Sequence, residues 1–216
     1  MNDENVNNPY AEGVAQRRGL VDRAKNMIVK PKLEWGVVAS ESPDVGGITM
    51  GYALPLILIS AVASMIGYGL IGVPGLGRAA FSYGIAQGVT GVIGGLLGLF
   101  IASGVMKILG PTFDSTDDFG RAFQLVAYSY TPIWVAGILM IVPPLGAIAG
   151  FVGLVYSIYL FYIGLPPVMG TPANRVVAYI VVAAIVMIVV TFVLMLVLAP
   201  IIFGIFGLSM IGSAMF

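Results

Sequence analysis

Cysteine and histidine are both missing from the 216-residue chain, and charged residues make up only 9% of it. An average soluble domain has about 25% charged residues. Without cysteine and histidine there is no disulfide, no thiolate or imidazole nucleophile, and no usual ligand set for haem, iron–sulfur or zinc. We therefore expect no cofactor and no metal. Ten basic and ten acidic residues cancel, so net charge does not predict nucleic-acid binding.

Apolar residues are abundant, at 59%, and they form long uncharged stretches. A helix of about 20 residues crosses the ~30 Å hydrocarbon core of a bilayer. Five such helices fit, with the third and fourth separated at Pro143-Pro144. We predict an all-α polytopic membrane helical bundle over residues 46–216, preceded by a tail over residues 1–45. The predicted spans are residues 50–71, 83–106, 122–142, 145–165 and 176–199, and residues 201–216 are expected to form an interfacial or partly re-entrant tail.

Lysines and arginines are distributed unequally between the two ends of these spans. Six lie in the N-terminal tail, and Lys107, Arg121 and Arg175 fall in loops on the same side. Only Arg78 falls on the other side. Because cytoplasmic loops carry the excess of basic residues, we expect the N-terminus in the cytoplasm and the C-terminus outside.

The tail contains a basic amphipathic helix over residues 14–30, which ends at Pro31. Its apolar face is predicted to hold Leu20, Val21, Ala24, Met27 and Ile28. Such a helix can lie in the headgroup layer and meet anionic lipids, or it can pack on the protein's own loops or on a partner. The residues predicted at the membrane surface are Arg17, Arg18, Arg23, Lys25 and Lys30, with Trp35 as an interface anchor.

The second span has small residues at alternating intervals of four and three positions. They are Gly84, Gly88, Gly91, Gly95, Gly98 and Ala102. This spacing places all of them on one side of a helix and allows close approach of another backbone. Three interpretations stay open: packing within one chain, a homodimer seam, and a glycine-lined conduit. We call this row the glycine seam, and we expect its partner to be the tyrosine-rich fourth span.

Polar groups in the spans are all uncharged, which argues against an ion-coupled pump and against an enzyme. The run Tyr128-Ser129-Tyr130-Thr131-Pro132 is the densest of these groups. Pro132 frees a carbonyl near Tyr128, which Ser129 or Thr131 can satisfy. Broken helices of this kind form small-molecule sites or ordinary kinks. The candidate pocket residues are Tyr128, Ser129, Thr131, Pro132, Tyr156 and Tyr159.

Three aspartates lie close together between the second and third spans, at positions 114, 117 and 118. They suggest either a metal site or the acidic first turn of a helix capped by Ser115 or Thr116. The glycine and glutamate of a calcium-binding loop are missing, so the pattern favours capping.

Several of these features together resemble the Yip family, the Ypt/Rab-interacting membrane proteins and their prokaryotic relatives. The resembling segments span roughly residues 20–200: Pro31 to Trp35, Gly51-Tyr52-Ala53-Leu54-Pro55, Ala127 to Pro132, Pro143-Pro144, and Leu154 to Leu160 continuing into Tyr162-Ile163-Gly164-Leu165-Pro166. The resemblance implies a five-helix bundle with a cytoplasmic N-terminus. Eukaryotic members are linked to Rab-type GTPases and vesicle traffic, but they carry a longer N-terminal region than this chain.

From these observations we expect a non-enzymatic membrane scaffold or adaptor in a prokaryotic plasma membrane. Its expected partners are membrane lipids, anionic ones included, an unidentified membrane or cytoplasmic protein, and a second copy of the chain. The alternative is an uncoupled transporter or channel for a small or lipid-like molecule through a tyrosine-lined core.

Overall fold

The computed structural model describes residues 19–71, 80–193 and 196. Within these ranges the chain is helical and contains no strand. Two short helices come first, α1 (Leu20–Val29) and α2 (Pro31–Ser40). Five helices long and apolar enough to span a membrane follow, which confirms the predicted all-α bundle with five spans. They are Val45–Ile71, Ala80–Phe113, Phe119–Ile141, Pro143–Met169 and Val176–Val193.

The first span begins at Val45 rather than at residue 50. The Asp44 carboxylate accepts a hydrogen bond from the Gly47 backbone N–H at 2.9 Å, which satisfies one of the free donors at a helix start. Pro55 lies within the span, directly after a π-helical turn over Thr49–Ala53. Because a wider turn accommodates a missing backbone donor, the span continues through the proline.

Prolines and glycines determine where the third and fourth spans break, begin and end. The third is interrupted at Tyr130 and ends in a 3-10 turn over Gly137–Ile141. The fourth begins at Pro143, where a fixed φ suits the first helical turn. It continues past its predicted end at residue 165 to Met169, because prolines in its last turn keep a helical φ. Gly170, with a φ of 70°, ends it.

The third span is the centre of the bundle. Half of the residues in the most apolar 18-residue stretch of this span are buried, against 17–28% in the corresponding stretches of the other four spans. It packs against the first, second and fourth spans. The fifth span instead packs against the second. The Tyr179 hydroxyl donates to the Met106 carbonyl, and the Tyr179 ring stacks on the Phe113 ring at a centroid distance of 4.7 Å.

Some predictions fall on parts of the chain that the structure does not describe. They are the surface role of Arg17 and Arg18, the position of Arg78, and the interfacial tail over residues 201–216.

Candidate functional site

The glycine seam of the second span packs against the first span. A Cβ on Gly84 would lie 2.6 Å from the backbone of Gly69, and one on Gly88 would clash with the Met65 side chain. Further along, a Cβ on Gly95 would lie 3.1 Å from the Ile57 side chain. At Gly84 glycine is required because the two backbones approach closely, whereas at Gly88 and Gly95 a side chain of the first span fills the space that a Cβ would take.

Three other members of the seam have looser surroundings. A Cβ on Gly91 would be in ordinary contact with Ala61, and one on Gly98 would meet nothing within 4 Å. Ala102 is buried. The prediction that the fourth span covers this seam is wrong, since the atoms nearest to its tight positions belong to the first span. Gly84, Gly88 and Gly95 therefore pack against the first span of the same chain.

The tyrosine-rich run in the third span forms a kink with its polar groups largely satisfied. The Thr131 hydroxyl is 2.7 Å from the Tyr128 carbonyl, the bond predicted for the residues before Pro132. It also lies 2.6 Å from the Tyr52 hydroxyl of the first span. The Tyr52 and Tyr128 rings meet edge to face at 4.9 Å. Ser129 is fully buried, and its hydroxyl has no hydrogen-bond partner among the described residues.

Pro132 and Tyr156 lie apart from that buried cluster, on an apolar cleft between the third and fourth spans. The cleft has a volume of about 640 Å³, and its other lining residues are apolar. The Tyr156 hydroxyl donates to the Ile28 carbonyl of α1 at 2.7 Å. Tyr159, which was predicted beside it, is 39% exposed and lies outside this lining. The structure therefore divides the predicted pocket residues between a buried kink and an open cleft.

Helix α1 is attached to the rest of the protein through a buried charged cluster. Arg23 is only 3% exposed and Glu34 of α2 only 1%. Arg23 Nη1 lies 3.0 Å from Glu34 Oε1, Arg23 Nη2 pairs with Glu41, and the guanidinium sits 5.1 Å from the centre of the Tyr128 ring. The placement of Arg23 at the membrane surface is therefore wrong.

The protonation of Arg23 follows from opposing effects. Burial lowers its pKa, whereas the hydrogen bond to Glu41 and the negative charges around it raise its pKa above the ordinary value of an arginine. The guanidinium remains charged inside the cluster. We call Arg23, Glu34 and Glu41 the ion cluster.

Trp35 is also interior rather than at the interface, being 1% exposed. Its ring meets Tyr128 edge to face at 6.5 Å. On the other side it covers Gly164, where a Cβ would lie 2.7 Å from Cε2 of the indole. The predicted role of Trp35 as a surface anchor is wrong, because the glycine in the fourth span leaves room for the indole inside the protein.

Arg121 adds a second connection between α2 and the third span. Its Nη1 donates to the carbonyls of Ala39 and Glu41, at 2.9 and 3.1 Å. These carbonyls lie at and just beyond the end of α2, where helical partners are absent. From the sequence, Arg121 was interpreted only as a loop charge, and this contact was missed. The unpaired carbonyls at the end of α2 were the one signal that could have indicated it.

The outer face of α1 and the start of α2 is exposed and mixes apolar with basic residues. Its apolar members are Val21, Ile28, Val29 and Leu33, between 36% and 72% exposed. Lys25, Lys30 and Lys32 are exposed among them. We call these residues the outer face. Contact of Lys25 and Lys30 with lipid stays a prediction.

The aspartate loop before the third span makes caps and an ion pair. The Asp118 carboxylate accepts from the Arg121 backbone N–H at 2.7 Å, so the cap is Asp118 itself. Asp114 pairs with Arg175 at 3.4 Å on the surface. In the part of the chain that the structure describes, no three acidic residues are grouped as a metal site would need.

Together, the five apolar helices and the docked helix pair define a polytopic helical membrane protein. The sequence profile of the Yip1 domain matches residues 25–196. The chain therefore belongs to the Yip1 domain family, as its sequence features indicated. Comparison with curated proteins and with solved structures gave no significant match.

Proposed function

We propose that this protein is a non-enzymatic membrane adaptor of a prokaryotic plasma membrane, with a cytoplasmic N-terminus and an external C-terminus. Its partner surface would be the outer face of α1 and α2. The basic loops support the orientation, and the uncharged polar groups in the middle of the spans support a role without catalysis. The partner is a membrane or cytoplasmic protein held beside lipid headgroups.

One observation carries this proposal: α1 and α2 are fixed to the bundle by a buried ion cluster, while their outer face stays open. Arg23 and Glu34 are almost fully buried, yet Val21 and Val29 on the same helix pair are 72% and 62% exposed. A rigid surface that combines apolar and basic side chains suits recognition next to an anionic membrane.

The absence of cysteine makes a direct test simple. A single cysteine at Val29, carrying a photo-reactive group, samples the outer face in source membranes. A matched cysteine replaces Ile108, which is 75% exposed on the second span. We expect a discrete protein adduct from the first position and none from the second. Native mass spectrometry after gentle extraction should then retain that protein at fixed stoichiometry.

Lipid adducts alone at both positions would contradict the adaptor role, since the outer face would then be an ordinary lipid contact. An identical protein adduct at both positions would contradict it too, because the contact would not be specific to the outer face.

The alternative of an uncoupled transporter or channel has one supporting feature, the apolar cleft beside Pro132 and Tyr156. A polar conduit would need the hydroxyls of the third span to line an open space. Tyr128, Ser129 and Thr131 are instead buried, at 5% exposure or less. We therefore favour the adaptor; solute flux in proteoliposomes would reverse this preference.

A further inference from the structure

A second cleft, of about 340 Å³, lies where α2 meets the end of the fourth span and the start of the fifth. By the proposed orientation, it opens towards the cytoplasmic headgroup layer. Its lining residues are Lys32, Trp35, Gly36, Tyr162, Ile163, Pro166, Pro167, Ala173 and Val176.

Positive and donor groups meet at this cleft. Lys32 is exposed and supplies an ammonium group. Trp35 is 1% exposed, and its indole N–H has no hydrogen-bond partner among the residues that the structure describes. Val176 is the first residue of the 18-residue fifth span, and a helix start favours anions through its free N–H groups and dipole. These three features favour a phosphate.

Two prolines of the lining leave backbone acceptors beside the cleft without their helical donors. Pro166 and Pro167 have no N–H, so the carbonyls of Tyr162 and Ile163 lose the donors that a regular helix would give them. A group that satisfies these carbonyls must carry O–H or N–H donors. The cleft therefore suits a ligand that joins a phosphate to a hydroxyl or an ammonium.

We propose that this cleft binds the headgroup of a phospholipid that carries a hydroxyl or a primary ammonium, such as phosphatidylglycerol or phosphatidylethanolamine. Exposed apolar side chains next to the lining, Leu33 at 71% and Val177 at 60%, provide surface for the acyl chains and favour a lipid over a soluble phosphate ester. The site goes beyond the adaptor role and does not depend on it.

The test uses the full delipidated chain and native mass spectrometry with three lipids of identical acyl chains. Phosphatidylglycerol and phosphatidylethanolamine should be retained in preference to phosphatidylcholine, whose headgroup has no N–H or O–H donor. Lys32→Gln should weaken binding of phosphatidylglycerol about five-fold, the scale of one lysine at an anionic surface. Lys107→Gln, an exposed lysine outside the lining and outside the outer face, should leave it unchanged.

Trp35→Phe gives a second, independent readout, because it removes the indole N–H but keeps an aromatic ring over Gly164. It should weaken retention of phosphatidylglycerol in a variant that still elutes as a folded monodisperse protein. Equal retention of the three lipids, or equal effects of Lys107→Gln and Lys32→Gln, would overturn the proposal. The cross-linking result at Val29 has no bearing on these outcomes, so the two proposals can fail separately.

Discussion

Arg23→Gln is the change that we expect to detach α1 and α2 from the bundle. In the ion cluster, Arg23 lies 3.0 Å from Glu34, and both residues are at least 97% buried. Removal of the guanidinium takes away the positive charge that lies 3.0 Å from the Glu34 carboxylate. Loss of one partner of a buried ion pair costs about 3–5 kcal/mol. That is a large part of the ~5–15 kcal/mol that stabilises a typical domain.

The assay uses Trp35 as the reporter. The chain has two tryptophans, so Trp134→Phe leaves Trp35 as the single emitter. Since the indole is now buried against Tyr128, release of α2 should shift its emission to the red and expose α1 to protease. Lys25→Gln, an exposed basic residue on the same helix, is the matched control and should change neither signal.

A double variant tests the cause. Arg23→Met combined with Glu34→Leu removes both charges of the buried pair, and it should recover part of the lost protection because the Glu34 carboxylate no longer lies buried opposite a neutral side chain. If Arg23→Gln kept the emission and the cleavage pattern of the parent protein, the reasoning about this cluster would be refuted.

Three further changes test the packing of the spans by thermal unfolding in detergent. Gly84→Ala should lower stability by about 1–3 kcal/mol through overpacking. Gly94→Ala on the same helix, where a Cβ meets nothing within 4 Å, should be neutral or stabilising by up to about 1 kcal/mol. Equal effects of the two substitutions would contradict the contact between Gly84 and the first span. Thr131→Val should cost about 1–3 kcal/mol by taking the Thr131 hydroxyl away from the buried Tyr52 hydroxyl, and an unchanged midpoint would contradict that. Asp118→Ala should cost about 1 kcal/mol as a lost cap, with Asp117→Ala as a control that does not.

The five spans and their breaks were predictable because each depends on local chemistry. Long uncharged runs require helices in a bilayer, and Pro143-Pro144 separates two of them wherever the neighbours lie. The glycine seam was predictable for the same reason, since its spacing is a property of one helix. Its partner was not predictable, because a smooth groove at Gly84 and Gly88 fits any helix that approaches it.

The positions of Arg23 and Trp35 were mispredicted for a physical reason. In water, the apolar face of a helix turns inward, so periodicity identifies the buried side. Beside lipid, the surroundings are as apolar as a protein core, and hydrophobicity no longer distinguishes the two sides. Val21 therefore points outward in α1, while Arg23 points inward. The inward direction of Arg23 can be recognised only when Glu34 and Glu41 are known to be its neighbours. These two residues belong to another helix and to the segment that follows it.

The same argument explains why the third span is the most buried of the five. Spans that face lipid on one side need only a narrow packed seam. The third span instead has other spans and α1 against it, and α2 reaches it through the Trp35 ring and the Arg121 hydrogen bonds. Its segment from Ala122 to Ser129 is consequently buried at every position. A charged cluster is stable at that contact because both helices supply partners and exclude lipid. The N-terminal helices therefore belong to the membrane fold, and a partner bound to their outer face would sense the packing of the bundle directly.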